Sequence, residues 1–265
     1  VTGDELVDRL CAVDGVVAVA LGGSRARGDH RPDSDWDVGL YYRGGLDVPA
    51  LRAVAASVAD EEVELTGPGG WGPWVDGGGW LRVGGVAVDW IYRDLDRVGR
   101  VWADCRAGRY TVGVQAGHPL GFYSHAYAGE VALCRVLGDL TGELTALRAE
   151  TGCYPPALAA ALLAGGWEAG FLLDAAGKGA AAGDAGYVVG CLFRAVGVVV
   201  QALHGRAGRW LVNEKGMIAS AGRLPDAPVD FARRAQGLLG VVGRTPAELA
   251  ATVADARRLV AEALG

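Results

Sequence analysis

An α+β fold is predicted, with a mixed sheet flanked by helices in residues 1–122 and a helical bundle in residues 123–265. Three observations carry this. Short apolar runs of strand length alternate with helix-period stretches through the first part of the chain. Past Gly117-His118-Pro119, a turn signal, only helix-period stretches follow, punctuated by glycine and proline. At 265 residues, 51% hydrophobic and 21% charged, the chain is long enough to bury a sizeable core in one large domain or two modest ones.

Residues 3–14 form an amphipathic opening helix, with Leu6, Val7 and Leu10 on one side and Thr2 or Gly3 near its start. VVAVAL, residues 16–21, is a continuous apolar run suited to a strand covered on both faces. Residues 24–28 open a short helix, 35–42 make the second strand, 49–60 a helix opened by Pro49, and 63–66 a third strand. TGPGGWGPWVDGGGW, residues 66–80, is too glycine-rich for the interior of a regular element and reads as a loop or loose hairpin. Its Trp71, Trp74 and Trp80 either pack on the domain's flank or ride a mobile flap that stacks on a base or sugar ring. Residues 80–83 and 86–92 pair as a hairpin around Gly84-Gly85, 94–107 form a helix, and 110–115 a last strand. Seven helices are predicted beyond it, over 123–138, 139–151, 155–177, 184–204, 211–220, 228–240 and 245–264. The third ends at Gly177-Lys178-Gly179, and Thr245-Pro246-Ala247-Glu248 opens the last with capping-box spacing.

Composition excludes some function classes. Five cysteines are scattered without a CxxC pair, which argues against a zinc site or a disulfide framework. The net charge of −6 argues against broad nucleic-acid binding, which asks for a basic face. Residues 1–122 hold 18 acids against 12 Lys and Arg, while the rest is balanced, so an acidic cleft favouring a polycationic partner is expected there. No uninterrupted apolar run has the length of a membrane span, and the opening VTGDELVDRL lacks a basic-then-apolar pattern. The expectation is a cytoplasmic protein, monomeric or homodimeric.

The chemistry concentrates in residues 22–40, GGSRARGDHRPDSDWDVGL. In an extended strand residues i and i+2 share a face, so Asp35 and Asp37 project together and Trp36 turns away. Two adjacent carboxylates repel and need a cation to stay ionised. Hard divalent metals take oxygen ligands, and Mg²⁺ combines one or two carboxylates with substrate phosphates. The Gly22-Gly23-Ser24 turn offers backbone N–H groups to a phosphate. Asp89, alone among apolar residues in VAVDWIY, is costly to bury unpaired, and a strand beside 35–42 would bring it to the same metals.

GGS, then DxD, then a later strand aspartate resembles the nucleotidyltransferase superfamily of DNA polymerase beta type. SRARG, SDWD and the helical second half resemble its bacterial antibiotic branch, the aminoglycoside and lincosamide enzymes. The motif likeness covers residues 15–92. It implies a catalytic domain over 1–122 and a helical substrate-binding domain over 123–265. It also implies two Mg²⁺ ions and ATP or another nucleoside triphosphate, with a nucleoside monophosphate moved to a hydroxyl of a small molecule. By resemblance Asp35 and Asp37 hold both ions, and Asp89 completes the one nearest the attacking hydroxyl. Gly23 and Ser24 hold the terminal phosphates. Arg25 or Arg27 neutralises the triphosphate, or else forms a surface salt bridge to Asp29 or Asp33. Glu130, in an apolar helix, is the first candidate for a general base, the alternatives being a carboxylate paired with Arg135 or a solvated helix face; Glu168 is the second. Lys215, one of two lysines, is a candidate to reach the triphosphate, while Asn213 and Glu214 read as a helix cap and first turn. His30, His118, His125 and His204 read as turn or packing residues, with facing a phosphate the alternative for His30, which lies between Ser24 and Asp35. Transfer to protein or tRNA, as in toxin-like members, and a non-catalytic nucleotide-binding module are the competing functions.

Overall fold

Residues 3–28 and 30–265 are described by the structure, a computed structural model; the sequence readings on Thr2 and Asp29 lie outside it. The chain divides into two compact units, Val1–Asp104 with Tyr110–Cys153, and Cys105–Arg109 with Tyr154–Gly265. The first unit thus runs through Cys153 rather than ending at residue 122.

The first unit opens with α1 (Gly3–Cys11), β1 (Val16–Leu21), α2 (Gly23–Arg27), β2 (Trp36–Tyr42) and α3 (Val48–Ala56). It continues through β3 (Gly78–Val83), β4 (Val86–Asp94) and α4 (Leu95–Arg106), whose last two residues fall in the second unit. A two-stranded ribbon of β5 (Val112–Gly113) and β6 (Phe122–Tyr123) follows, then α5 (Ala126–Leu133), β7 (Arg135–Asp139) and α6 (Glu143–Thr151). Among the described residues the main sheet has five strands in the order β3-β4-β2-β1-β7. β2 and β4 are parallel and the other neighbours antiparallel, so the sheet is mixed as predicted.

The two faces of this sheet differ in chemistry. On one, Val19, Val38, Leu40, Tyr42, Leu81, Trp90 and Tyr92 pack with Leu10 of α1 and with Leu51, Val54 and Ala55 of α3. The other carries small and polar residues, Ala18 and Ala20 of β1, Asp37, Gly39 and Tyr41 of β2, and Asp89 and Arg93 of β4. Period-two alternation in β2 and β4 sends one set to the core and leaves the other for function. VVAVAL is apolar throughout because both its faces are covered.

Three predicted elements of the first unit changed. The helix over 123–138 stops at Leu133, because Cys134 is extended, and residues 135–139 add a strand beside β1. Periodicity could not reveal this, since RVLGD is too short to separate the two periods. Gly138 lets α1 cross closely; a Cβ there would meet Cys11 Sγ at 2.7 Å. Residues 63–66 form no regular strand, yet Thr66 N–H donates to the Gly78 carbonyl at 2.9 Å and Asp60 N–H to that of Arg82 at 2.7 Å, so the segment follows the outer edge of β3. Of the strand over 110–115 only Val112–Gly113 pairs.

The second unit is helical. It contains α7 (Pro156–Ala164), α8 (Trp167–Ala181), α9 (Ala185–Arg206), α10 (Met217–Ala221), α11 (Phe231–Gly240) and α12 (Pro246–Leu264). The predicted 155–177 helix is two, broken at Gly165-Gly166, and the second runs on past Gly177-Lys178-Gly179. By length and composition α9 and the stretch Pro156–Ala181 are apolar enough to cross a membrane. Most of α9 is buried, and it packs on α7, α8, α10, α11 and α12 as the axis of the bundle. The capping box on α12 forms as its spacing predicts, Thr245 accepting from Glu248 N–H and Glu248 from Thr245 N–H.

Candidate active site

The turn between β1 and α2 is built against β2. Gly22 N–H donates to the Asp37 carbonyl at 2.7 Å, fixing the end of β1 beside the start of β2. Gly23 follows at φ +62°, the left-handed region that glycine enters without steric cost. A Cβ at Gly23 would lie 1.7 Å from Asp37 Oδ2, so the Asp37 carboxylate rests directly on the turn. Glycine is required here twice over, by its backbone and by its neighbour. Helix geometry leaves the first-turn N–H groups of α2 without intrahelical acceptors, next to this carboxylate.

Asp89 is brought in by register. Asp37 and Asp89 are direct partners in the parallel pair of β2 and β4, so their side chains share a face one strand apart, about 4.8 Å. Like charges placed so are unfavourable in the absence of a counter-charge. Both are half-buried, and both have further partners. Asp35 stands two residues before Asp37, exposed and just outside the strand. Among the described residues no three His, Cys, Asp or Glu side chains are gathered as a metal-holding group. The three-acid cluster predicted from sequence is therefore a fixed pair, Asp37 and Asp89, with Asp35 at its entry. Two carboxylate donors suit Mg²⁺, which takes its remaining ligands from phosphate and water.

Arg25 does something the sequence did not suggest. Its guanidinium donates to the carbonyls of Ser34 (2.9 and 2.6 Å), Asp35 (3.2 Å) and Pro32 (3.3 Å), and lies 4.6 Å from the Trp36 ring centroid. It laces the loop that delivers Asp35 and Asp37 to the sheet. Asp33, proposed as its salt-bridge partner, pairs instead with Arg31 at 3.5 Å. Ser24, partly buried in α2, accepts the Gly28 N–H through its carbonyl, and Arg27 is exposed at the end of that helix.

Glu130 lies on α5, which packs beside α2. Its two oxygens accept from Arg93 Nε at 2.6 Å and Nη2 at 2.8 Å. The partner is Arg93, buried on the same sheet face as Asp89, and not Arg135. Both Glu130 oxygens are thus engaged by one guanidinium, in a bidentate pair. Tyr41 is buried next to this pair, and burial pushes its phenol well above the ordinary value. Arg93 was missed from sequence; its only signal was a cation four residues after Asp89 on the same strand.

Two further candidates belong to the helical unit. Glu168 is ion-paired with Arg194 at 2.7 Å. Lys215 sits on an exposed turn, where its N–H donates to Asn213 Oδ1 at 2.7 Å. Asn213 thus closes an Asx turn and caps no helix, since α10 begins only at Met217 with Gly216 as its N-cap.

Comparison with known proteins finds two kinds of likeness. Residues 4–67 match the sequence family described as nucleotidyltransferase domain. That span holds the glycine-serine turn, Asp35 and Asp37, while Asp89 lies beyond it. A nucleotidyltransferase-like protein from Exiguobacterium sibiricum superposes with a TM-score of 0.50 at 10% identity, covering 98% of this chain and 75% of that one. At such identity the likeness is one of fold. Among curated proteins none matches.

Proposed function

We propose that this chain, whose residues 4–67 match the nucleotidyltransferase domain family, moves AMP from ATP to a hydroxyl of a small, aminoglycoside-like acceptor and releases pyrophosphate. The observation that carries the reading is the in-register Asp37–Asp89 pair set against the Gly22-Gly23-Ser24 turn. The acceptor oxygen bonds to the α-phosphorus as the bond to the bridging oxygen breaks. The pyrophosphate takes that electron pair, and the hydroxyl proton passes to water. Asp37 and Asp89, joined by Asp35, are the residues that would hold Mg²⁺. When bound, the metal neutralises the phosphates and activates the hydroxyl.

The chain's own residues position and neutralise, which is most of what phosphoryl transfer needs. The N–H groups of Gly23 and Ser24 and the Ser24 hydroxyl receive the terminal phosphates, and Arg27 adds positive charge there. Arg25 keeps the loop 32–35 in place and so fixes the entry of the aspartates. Glu130 is assigned to holding Arg93, and through it the floor of the site, rather than to taking the proton. The acidic excess of residues 1–122 favours an acceptor carrying ammonium groups.

The test is incubation with Mg²⁺, ATP and a panel of aminoglycosides, followed by pyrophosphate release. Turnover is expected with at least one acceptor, falling at least a hundredfold in Asp37→Asn and Asp89→Asn. No turnover with any nucleotide or hydroxylated acceptor would refute the function.

A further inference from the structure

Trp80 is 68% exposed although it lies in the middle of β3. Its Cα partner is Asp89, and that of Asp89 on the other side is Asp37. Directly opposed residues in a sheet share a face. Trp80, Asp89, Asp37 and the Gly22-Gly23 turn therefore form one row across the sheet, each about one strand spacing from the next. Trp71, from the glycine-rich loop, stacks behind Trp80 with centroids 4.5 Å apart and planes at 19°.

The loop that supplies Trp71 is fixed in place. Buried Gln115 accepts from the N–H groups of Trp74 and Val75, each at 3.0 Å, and donates to the Trp71 carbonyl at 2.8 Å. Asp76 accepts from Gly69 N–H at 3.0 Å and from the Tyr42 hydroxyl. Trp74 packs against Phe122 and serves the core. The two sequence readings of this loop thus divide, one tryptophan packing inward and two forming an open indole stack.

The order of the row says what that stack meets. In-line displacement puts the leaving pyrophosphate and the attacking oxygen on opposite sides of the α-phosphorus. With the terminal phosphates at the Gly23 end, the attacking hydroxyl is at the Asp89 end, and Trp80 is the next residue outward. We propose that Trp80, backed by Trp71, is the stacking platform for the acceptor. That acceptor is an amino sugar or aminocyclitol, whose C–H face lies on the indole and whose ammonium groups meet its π-face. Arg82, two residues along the same face, donates to the Gly85 carbonyl at 2.8 Å and is drawn toward the hairpin tip. The assignment rests on the nucleotidyl-transfer reading above and adds the residue that determines specificity for the acceptor.

The test is calorimetric titration of the full chain with ATP in Mg²⁺, then with kanamycin, streptomycin and spectinomycin as probes, comparing wild type, Trp80→Ala and Trp80→Phe. At least one probe should bind wild type and lose tenfold or more in affinity in Trp80→Ala, with partial recovery in Trp80→Phe and the ATP affinity unchanged. Probe affinity that is unmoved in Trp80→Ala, or ATP affinity that falls instead, would overturn the platform, the latter making it a base-stacking site. Failure of every probe to bind wild type that does bind ATP would overturn the acceptor class. Absence of metal-dependent ATP binding in wild type would be a failure of the underlying nucleotidyl-transfer reading.

Discussion

Gly23→Ala separates backbone cost from site chemistry. At φ +62° an alanine costs about 1–2 kcal/mol, the penalty for a side chain in the left-handed region. Its Cβ would also fall 1.7 Å from Oδ2, 2.6 Å from Cγ and 3.2 Å from Cβ of Asp37. No rotation of alanine relieves this, so the Asp37 carboxylate must leave its place beside Asp89. Misplacement of a reacting group by about 1 Å costs on the order of a hundredfold in rate. The control is Gly28→Ala, at φ +77° with no atom within 4 Å of the added Cβ. It carries the same backbone penalty and no clash. Pyrophosphate release, measured with thermal melts of both variants, should fall about a hundredfold or more in Gly23→Ala and stay within a few-fold in Gly28→Ala, from the same estimate. Equal losses in the two, or an active Gly23→Ala, would refute the placement of Asp37 on the turn.

Three other predictions follow from the structure. Glu130→Gln leaves buried Arg93 without its counter-charge, and with Glu130 partly exposed the cost should sit near or below about 3 kcal/mol, a melting-point loss of several degrees. The double variant Arg93→Met/Glu130→Met should regain stability, and turnover that recovers with it marks Glu130 as structural, whereas turnover that stays lost marks a base. His204 is held below its ordinary value of 6.5, chiefly by burial, with Nδ1 donating to the Val200 carbonyl at 2.9 Å and Nε2 accepting from Ser220 at 3.0 Å. The folded state keeps the ring neutral while the unfolded chain takes a proton, so stability present at pH 7.5 should fall as the pH drops below about 6.5, and His204→Asn should flatten that slope in thermal melts. Burial raises the Cys134 thiol to about 11, so iodoacetamide at pH 8 followed by peptide mass spectrometry should label exposed Cys153 well before Cys134.

The sequence made the strands 16–21, 36–42 and 86–94 legible because each is a short apolar or alternating run bounded by turn residues. It made the glycine-serine turn and Asp37 legible because a left-handed glycine and paired acids are local features. The strand at 135–139 was hidden, since its reason to be extended is the unpaired edge of β1, more than a hundred residues upstream in the chain. Arg93 and Glu130 were hidden as a pair for the same cause, their 37-residue separation closing only when α5 lies over the sheet.

By itself the chain's order of residues named the candidate site side chains and indicated that a sheet precedes a bundle, because periodicity, turn residues and spacing act within a few residues of one another. Tertiary structure alone decided which acids stand together, with Asp37 and Asp89 paired and Asp35 at the margin, and it alone put Trp80 in their row. The physical reason is register: hydrogen bonding between strands distant in sequence sets side-chain neighbours, and no local preference encodes it.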